Sequence, residues 1–69
     1  MSEHVYKSVE ITGTSPEGVT QAIDRAVAKA SQTVRNLDWF ELISLRGQID
    51  DGRVAHYQAT DKIGFRLED

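Results

Sequence analysis

The chain contains no cysteine, one proline and two histidines among its 69 residues. The missing cysteines exclude disulfides and thiolate zinc sites, and His4 and His56 are too few for a structural metal. A domain of this size buries only about 60% of its unfolded surface when it folds alone. Small chains therefore depend on disulfides, metals or partner subunits. We predict one domain over residues 1–69, with no metal, that associates with copies of itself.

Long apolar runs and basic runs are also missing. No stretch approaches the roughly 20 apolar residues that span a membrane. Eight Lys and Arg against 11 Asp and Glu give a net charge of −3, and because these charges are interspersed, a nucleic-acid partner is not expected. Residues 1–4 lack the basic and apolar regions of a signal peptide. We therefore expect a cytoplasmic protein that binds neither nucleic acid nor membrane.

The first half of the chain predicts a strand and then a helix. Residues 4–12 alternate as a strand does. Ser15 and Pro16 are typical of a helix start, because serine caps free N–H groups and proline loses no hydrogen bond at the first helical position. We predict a helix over residues 16–35. Its apolar stripe of mostly small residues is formed by Val19, Ala22, Ile23, Ala26, Val27, Ala30 and Val34, and the strand residues that share one side are Val5, Val9 and Ile11.

The second half predicts a hairpin. Residues 38–50 and residues 53–67 form two long strands around Asp51-Gly52, the pair that a type I′ turn favours. A crossover through the helix makes the first two strands parallel, and the third fits between them, antiparallel to both. The prediction is an α+β fold of order β-α-β-β, with a three-stranded sheet in the order 1-3-2 wrapped on one helix.

A regular hairpin ladder assigns side chains to the two faces of the sheet. It pairs Trp39 with Gly64 and Gln58 with Leu45, roughly 20 Å apart along the strand. One ligand that contacts both Trp39 and Gln58 then needs two subunits, unless Gly47 marks a bulge that changes the register. The face toward the helix is predicted to hold Phe40, Leu42, Ser44, Ala55, Tyr57, Ala59 and Ile63. The uncovered face is predicted to hold Trp39, Glu41, Ile43, Leu45, Gly47, His56, Gln58, Thr60 and Lys62.

Trp39 is the most informative residue of the uncovered face. An exposed apolar patch around it marks an interface or a ligand site, and the pattern fits an interface anchor and a stacking platform about equally well. Gln58 offers an amide donor and an acceptor to the edge of a heteroaromatic ring. Arg46 and Arg66 suit a phosphate, and suit surface ion pairs equally. No serine lies in a nucleophile elbow and no acid/base pair is evident, so no enzyme is expected.

The order and spacing of short motifs resemble the dodecin family over essentially the full length of the chain. The motifs are Val5-Tyr6-Lys7, Gly13-Thr14-Ser15-Pro16-Glu17-Gly18, Leu37-Asp38-Trp39-Phe40-Glu41, Arg46-Gly47, Tyr57-Gln58 and Gly64-Phe65-Arg66-Leu67-Glu68. The chain departs from the pattern at Asp61, where relatives carry a less polar residue. The ladder places Asp61 beside Leu42, on the side facing the helix.

The resemblance implies a hollow homododecamer that stores and photoprotects flavin without catalysis. Flavins (riboflavin, FMN or FAD) would lie in pairs, with each ring stacked on Trp39 and its edge hydrogen-bonded by Gln58. Arg46 and Arg66 would lie near the flavin and its ribityl or phosphate tail. Coenzyme A is associated with some bacterial members, and no residue here identifies such a site. The alternatives are a homo-oligomeric scaffold, a coenzyme A-binding shell without flavin function, and a small flavin- or coenzyme-dependent enzyme.

Overall fold

A computed structural model of the chain describes residues 3–68 and contains the predicted order of elements. The three strands form one antiparallel sheet in the order β1-β3-β2, with a single helix on one face. The predicted fold is therefore confirmed. In the described part of the chain, no helix is long and apolar enough to cross a membrane. The elements are β1 (Tyr6–Ser15), α1 (Val19–Ala30), β2 (Leu37–Asp50) and β3 (Arg53–Arg66).

The hairpin turn forms where the sequence predicts it. Asp51 has φ 56° and Gly52 has φ 77°, which are the two positive values that a type I′ turn requires. Asp50 pairs with Arg53 directly beyond the turn. The two long strands project beyond the helix, so the chain measures 55 × 20 × 14 Å.

The predicted helix is too long at both ends. Ser15 belongs to β1, where it is buried and pairs with Tyr57, and its Oγ accepts a hydrogen bond from the Glu17 amide at 2.9 Å. The N-cap position is instead Gly18, without a side-chain cap. The helix ends at Ala30, and turns follow over residues 31–33. Pairing with β3 stabilises the end of β1 more than an extra helical turn would, so the strand extends.

The core lies between α1 and the two strands beneath it. It is built from small side chains: Ala22, Ala26, Ala30, Ala59 and Ile63. Gly13 allows the helix backbone to approach β1 closely, because a Cβ atom there would overlap the Ala22 carbonyl oxygen and lie 3.0 Å from the Ala26 nitrogen. Six members of the predicted apolar stripe form the packed side of α1, each buried or half-buried, and Val34, which is also half-buried, lies beyond the end of the helix.

The register of the hairpin differs from a regular ladder in its middle section. Trp39 pairs with Gly64 as predicted, but the register shifts between Leu42 and Ser44 and shifts back between Gln48 and Ile49. The extra β2 residue is Ile43, so the prediction that Gln58 pairs with Leu45 is wrong. Gln58 pairs with Arg46, and Leu45 pairs with the buried Ala59.

The shift changes the faces of several β2 side chains. Cross-strand partners share a face, so Leu45 and Gly47 lie on the side of the sheet that faces the helix, with Ala59 and Tyr57. Ser44 moves to the opposite side with Thr60. The predicted faces of Ser44, Leu45 and Gly47 are therefore wrong. Gly47 itself is not the shift point, although the second shift lies one residue beyond it.

Candidate functional site

The sheet face turned away from α1, called the open face below, carries the candidate site. Every residue of β2 after Leu37 is exposed, because α1 packs on β1 and β3. Trp39 on the open face is 41% exposed, and Leu45 on the other face of the same strand is 49% exposed. Both faces of β2 thus present apolar side chains. Patches of this kind mark interfaces or ligand sites.

The indole of Trp39 rests with its ring face on the backbone of Gly64. A Cβ atom at Gly64 would overlap Cε2 and Cζ2 of the indole and lie 2.6 Å from Cδ2. Gly64 is buried under the ring, while Trp39 remains partly exposed. The indole is thus supported on one side and accessible on the other, which is the arrangement a stacking platform requires.

We predict that Gly64→Ala displaces the indole of Trp39. The added methyl group needs the space that the ring now occupies, and β3 is held between two strands, so the ring is the group that moves. Because Trp39 is the only tryptophan, its fluorescence emission should shift toward that of a solvated indole and its near-ultraviolet circular dichroism should decrease. Gly18→Ala is the matched control, since a Cβ atom there meets only the flexible side chain of Gln21. Unchanged Trp39 spectra in Gly64→Ala would contradict the packing described.

Arg66 lies at the Trp39 end of the open face. It follows Gly64 by two residues, about 7 Å along β3. Asn36 holds its backbone through two hydrogen bonds: the Arg66 amide donates to the Asn36 carbonyl at 3.1 Å, and Asn36 Nδ2 donates to the Arg66 carbonyl at 3.3 Å. The side chain borders an open cleft of about 210 Å³ lined also by Asn36, Leu37 and Asp38.

Tyr6 and Asp38 join Arg66 in a small polar cluster beside the platform. Tyr6 pairs with Arg66 across the sheet. Hydrogen bonding to the Asp38 carboxylate, more than desolvation and charge repulsion, raises the pKa of the Tyr6 phenol, and Arg66 partly opposes that rise. The sequence alone indicates no role for Tyr6, Asp38 or Gly64, although the predicted register already pairs Gly64 with Trp39.

Gln58 and Arg46 form a second group at the far end of the open face. The two residues are cross-strand partners, and Thr14 of β1 pairs with Gln58 from the other side. Both side chains are exposed. Gln58 and Gly64 lie six residues apart on β3, which corresponds to roughly 20 Å. The four predicted site residues therefore form two half-sites in one chain, Trp39 with Arg66 and Gln58 with Arg46.

The half-sites suit recognition of a flat aromatic molecule with an anionic group. The indole supplies a hydrophobic ring face, Gln58 a polar edge, and the guanidinium groups favourable charge. Within residues 3–68 no three His, Asp or Glu side chains lie close enough to hold a metal ion.

Known proteins similar to this chain agree on one family. The family model described as Dodecin matches residues 5–68. The Dodecin of Thermus thermophilus is 51% identical over 65 residues, which is 94% of each chain. The dodecin structure from Streptomyces coelicolor is 59% identical and superimposes with a TM-score of 0.91, covering 100% of this chain and 99% of that one. The Streptomyces davaonensis dodecin, at 56% identity and a TM-score of 0.91, covers 99% of this chain and is itself covered in full (100%).

Proposed function

The chain belongs to the dodecin family, and from this premise we propose that it binds, stores and photoprotects flavin. Proteins of the family are not known as catalysts. The observation that carries the proposal is the indole of Trp39, supported by Gly64 on one side and accessible on the other. An isoalloxazine ring is flat and largely apolar, so stacking on that accessible face removes it from water.

A complete site in this proposal is assembled from two subunits. Trp39 and Gln58 lie too far apart in one chain to contact the same ring, whereas a twofold interface brings each half-site against the other half-site of a second copy. Two equivalent sites then form together, in agreement with the paired binding that the family resemblance implies. A twofold contact closes at two copies, so the hollow homododecamer that the family resemblance implies requires a second kind of contact that joins such pairs.

Each group has a distinct role in the bound state. The indole stacks on the ring, and an aromatic pair contributes about 0.5–1.5 kcal/mol beyond the buried area. The Gln58 amide forms hydrogen bonds with the polar edge of the ring, while Arg46 and Arg66 face the ribityl or phosphate tail. An electron-rich indole in contact with the excited flavin quenches it by electron transfer, so the bound flavin is protected from photochemistry. FMN or riboflavin fits these groups, and FAD is compatible with the open ends of the face.

A fluorescence titration tests the proposal directly. Free riboflavin and FMN are titrated with flavin-stripped protein, and flavin emission is followed to saturation. Because stacking places every bound ring against an indole, we expect strong quenching that saturates near one flavin per chain. Tighter binding of FMN than of riboflavin would assign the arginines to the phosphate. An intact oligomer that leaves both emissions unchanged would refute the proposal.

The second candidate is a homo-oligomeric scaffold in which Trp39 is only an interface anchor. It is favoured by the exposure of Phe40 at 51%, Leu42 at 41% and Leu45 at 49%, all on the helix-facing side of β2. These residues need a covering surface whether or not a ligand binds. A shell that takes coenzyme A in place of flavin is a variant of this candidate, and titration with coenzyme A distinguishes the two.

A further inference from the structure

Asp61 is a buried carboxyl group without a hydrogen-bond partner. It lies in the middle of β3, on the side facing the helix, and its exposed fraction is 0%. Neither Oδ1 nor Oδ2 accepts a hydrogen bond from any described residue. Its cross-strand partners are Ile11 and Leu42. An ionised carboxylate is costly in such a position, because burial removes its hydration and no donor replaces it.

The elements around Asp61 bring no counter-charge to it in the described part of the chain. On the same side of the sheet, the titratable groups are Lys7 of β1 and Tyr57 of β3, each about 13 Å away along the strands. From β2, that side receives only apolar residues near Asp61. The charged residues of α1 lie on its exposed side: Asp24, Arg25 and Lys29. The charged residues of the neighbouring sheet rows lie on the open face: Glu10, Glu41 and Lys62.

A neighbouring subunit cannot supply the missing partner by docking alone. Both carboxyl oxygens are already inaccessible in the single chain, so a donor from another copy could reach them only if the helix or the sheet moved. The isolation of Asp61 is therefore a property of the subunit and persists in an assembly of rigid subunits.

We propose that Asp61 makes the stability of the fold depend on pH: its carboxyl group is protonated in the folded subunit at acidic pH, and its ionisation at higher pH destabilises the fold and the assembly that depends on it. The protonated acid is neutral and tolerates an apolar site far better than the carboxylate does. Folding and assembly are linked here, because so small a core is stabilised by association. The inference concerns the stability of the subunit and is independent of flavin binding.

The direction of the pH dependence follows from burial. Desolvation raises the pKa of Asp61 above its ordinary value of 3.8, so the folded chain binds this proton more tightly than the unfolded chain does. The stabilisation is complete below pH 3.8, the ordinary value, and is lost as the pH rises through the folded-state pKa. Within that window, one proton changes the unfolding equilibrium by up to about tenfold per pH unit and per chain.

The test compares the full-length chain with Asp61→Asn in denaturant unfolding, without flavin, from below pH 3.8, the ordinary pKa of the group, to mildly alkaline pH. Asparagine keeps the shape of the protonated acid and cannot ionise. We expect the unfolding midpoint of the wild type to fall relative to that of Asp61→Asn as the pH rises. At acidic pH the two midpoints should converge. Light scattering should show the same trend: as the pH rises, the wild-type oligomer should dissociate more readily than the Asp61→Asn oligomer. Asp24→Asn, which removes the same charge from an exposed helix position, should run parallel to the wild type.

A second variant and an infrared measurement test the role of Asp61 independently. Asp61→Leu fills the site with an apolar side chain and serves if the asparagine variant does not fold. An infrared carbonyl band of a protonated carboxyl, present in the wild type and absent from Asp61→Asn, reports the proton directly. Parallel unfolding curves for wild type and Asp61→Asn, or lower stability of both variants at every pH, would overturn the proposal. Loss of flavin binding alone would not, since no step of this test uses flavin.

Discussion

Replacement of Trp39 by alanine should remove most of the flavin affinity while the oligomer persists. The indole lies on the surface of the sheet and is 41% exposed, so its removal leaves no cavity in the core. Alanine substitution of an aromatic side chain that stacks on a flat ring costs about 1–3 kcal/mol of binding free energy. This corresponds to a roughly 5- to 150-fold increase in the dissociation constant. The measurement is the flavin fluorescence titration, with oligomer size followed by light scattering.

Trp39→Phe is the matched control, because it keeps a smaller ring over Gly64. It should bind flavin with an affinity between those of the wild type and the alanine variant. Quenching should be weaker as well, since a phenyl ring donates an electron less readily than an indole does. If Trp39→Ala dissociates into subunits, Trp39 is an interface anchor and the scaffold function is favoured. If it binds flavin as tightly as the wild type, the stacking role is wrong.

The largest effect on stability is expected from Gly13→Ala. The added Cβ atom would overlap the Ala22 carbonyl oxygen and come within 3.0 Å of the Ala26 nitrogen. These are backbone atoms of the helix, so no side-chain rotation relieves the contact and α1 must move off the sheet. Overpacking of this kind costs about 1–3 kcal/mol and occasionally more. In a 69-residue chain that is a large part of the total stability, and we expect a marked fall in the thermal midpoint by circular dichroism.

Gly18→Ala again provides the comparison. The φ of 165° at Gly18 corresponds to an extended backbone conformation. The new methyl group meets only the end of the Gln21 side chain. Alanine is a poorer N-cap than glycine, so we expect the unfolding midpoint of Gly18→Ala to fall slightly, and by less than that of Gly13→Ala. Equal midpoints for Gly13→Ala and Gly18→Ala would show that the helix can shift at little cost, contrary to the close packing of Gly13.

Part of the candidate site could be predicted from the types and positions of its residues. A single tryptophan at the start of a strand, opposite a glycine, is visible without coordinates, and the structure confirms that pairing. The partnership of Gln58 with Arg46 was not predictable, because it depends on the bulge at Ile43. No proline or glycine marks that position in the sequence. The bulge separates the section in which Leu42 pairs with Asp61 from the section in which Ser44 pairs with Thr60, and such pairing is a contact between strands that local sequence signals do not encode.

The order of elements, the hairpin turn and the packed side of α1 were determined by the sequence alone. Each depends on local signals: a period of two or 3.6 residues, and the positive φ values of Asp51 and Gly52. Tertiary structure decided where β1 gives way to the helix, which face Leu45 occupies, and that Asp61 is buried without a partner. These outcomes depend on pairing and packing between distant segments, and the free energy of those contacts outweighs the weaker local preferences.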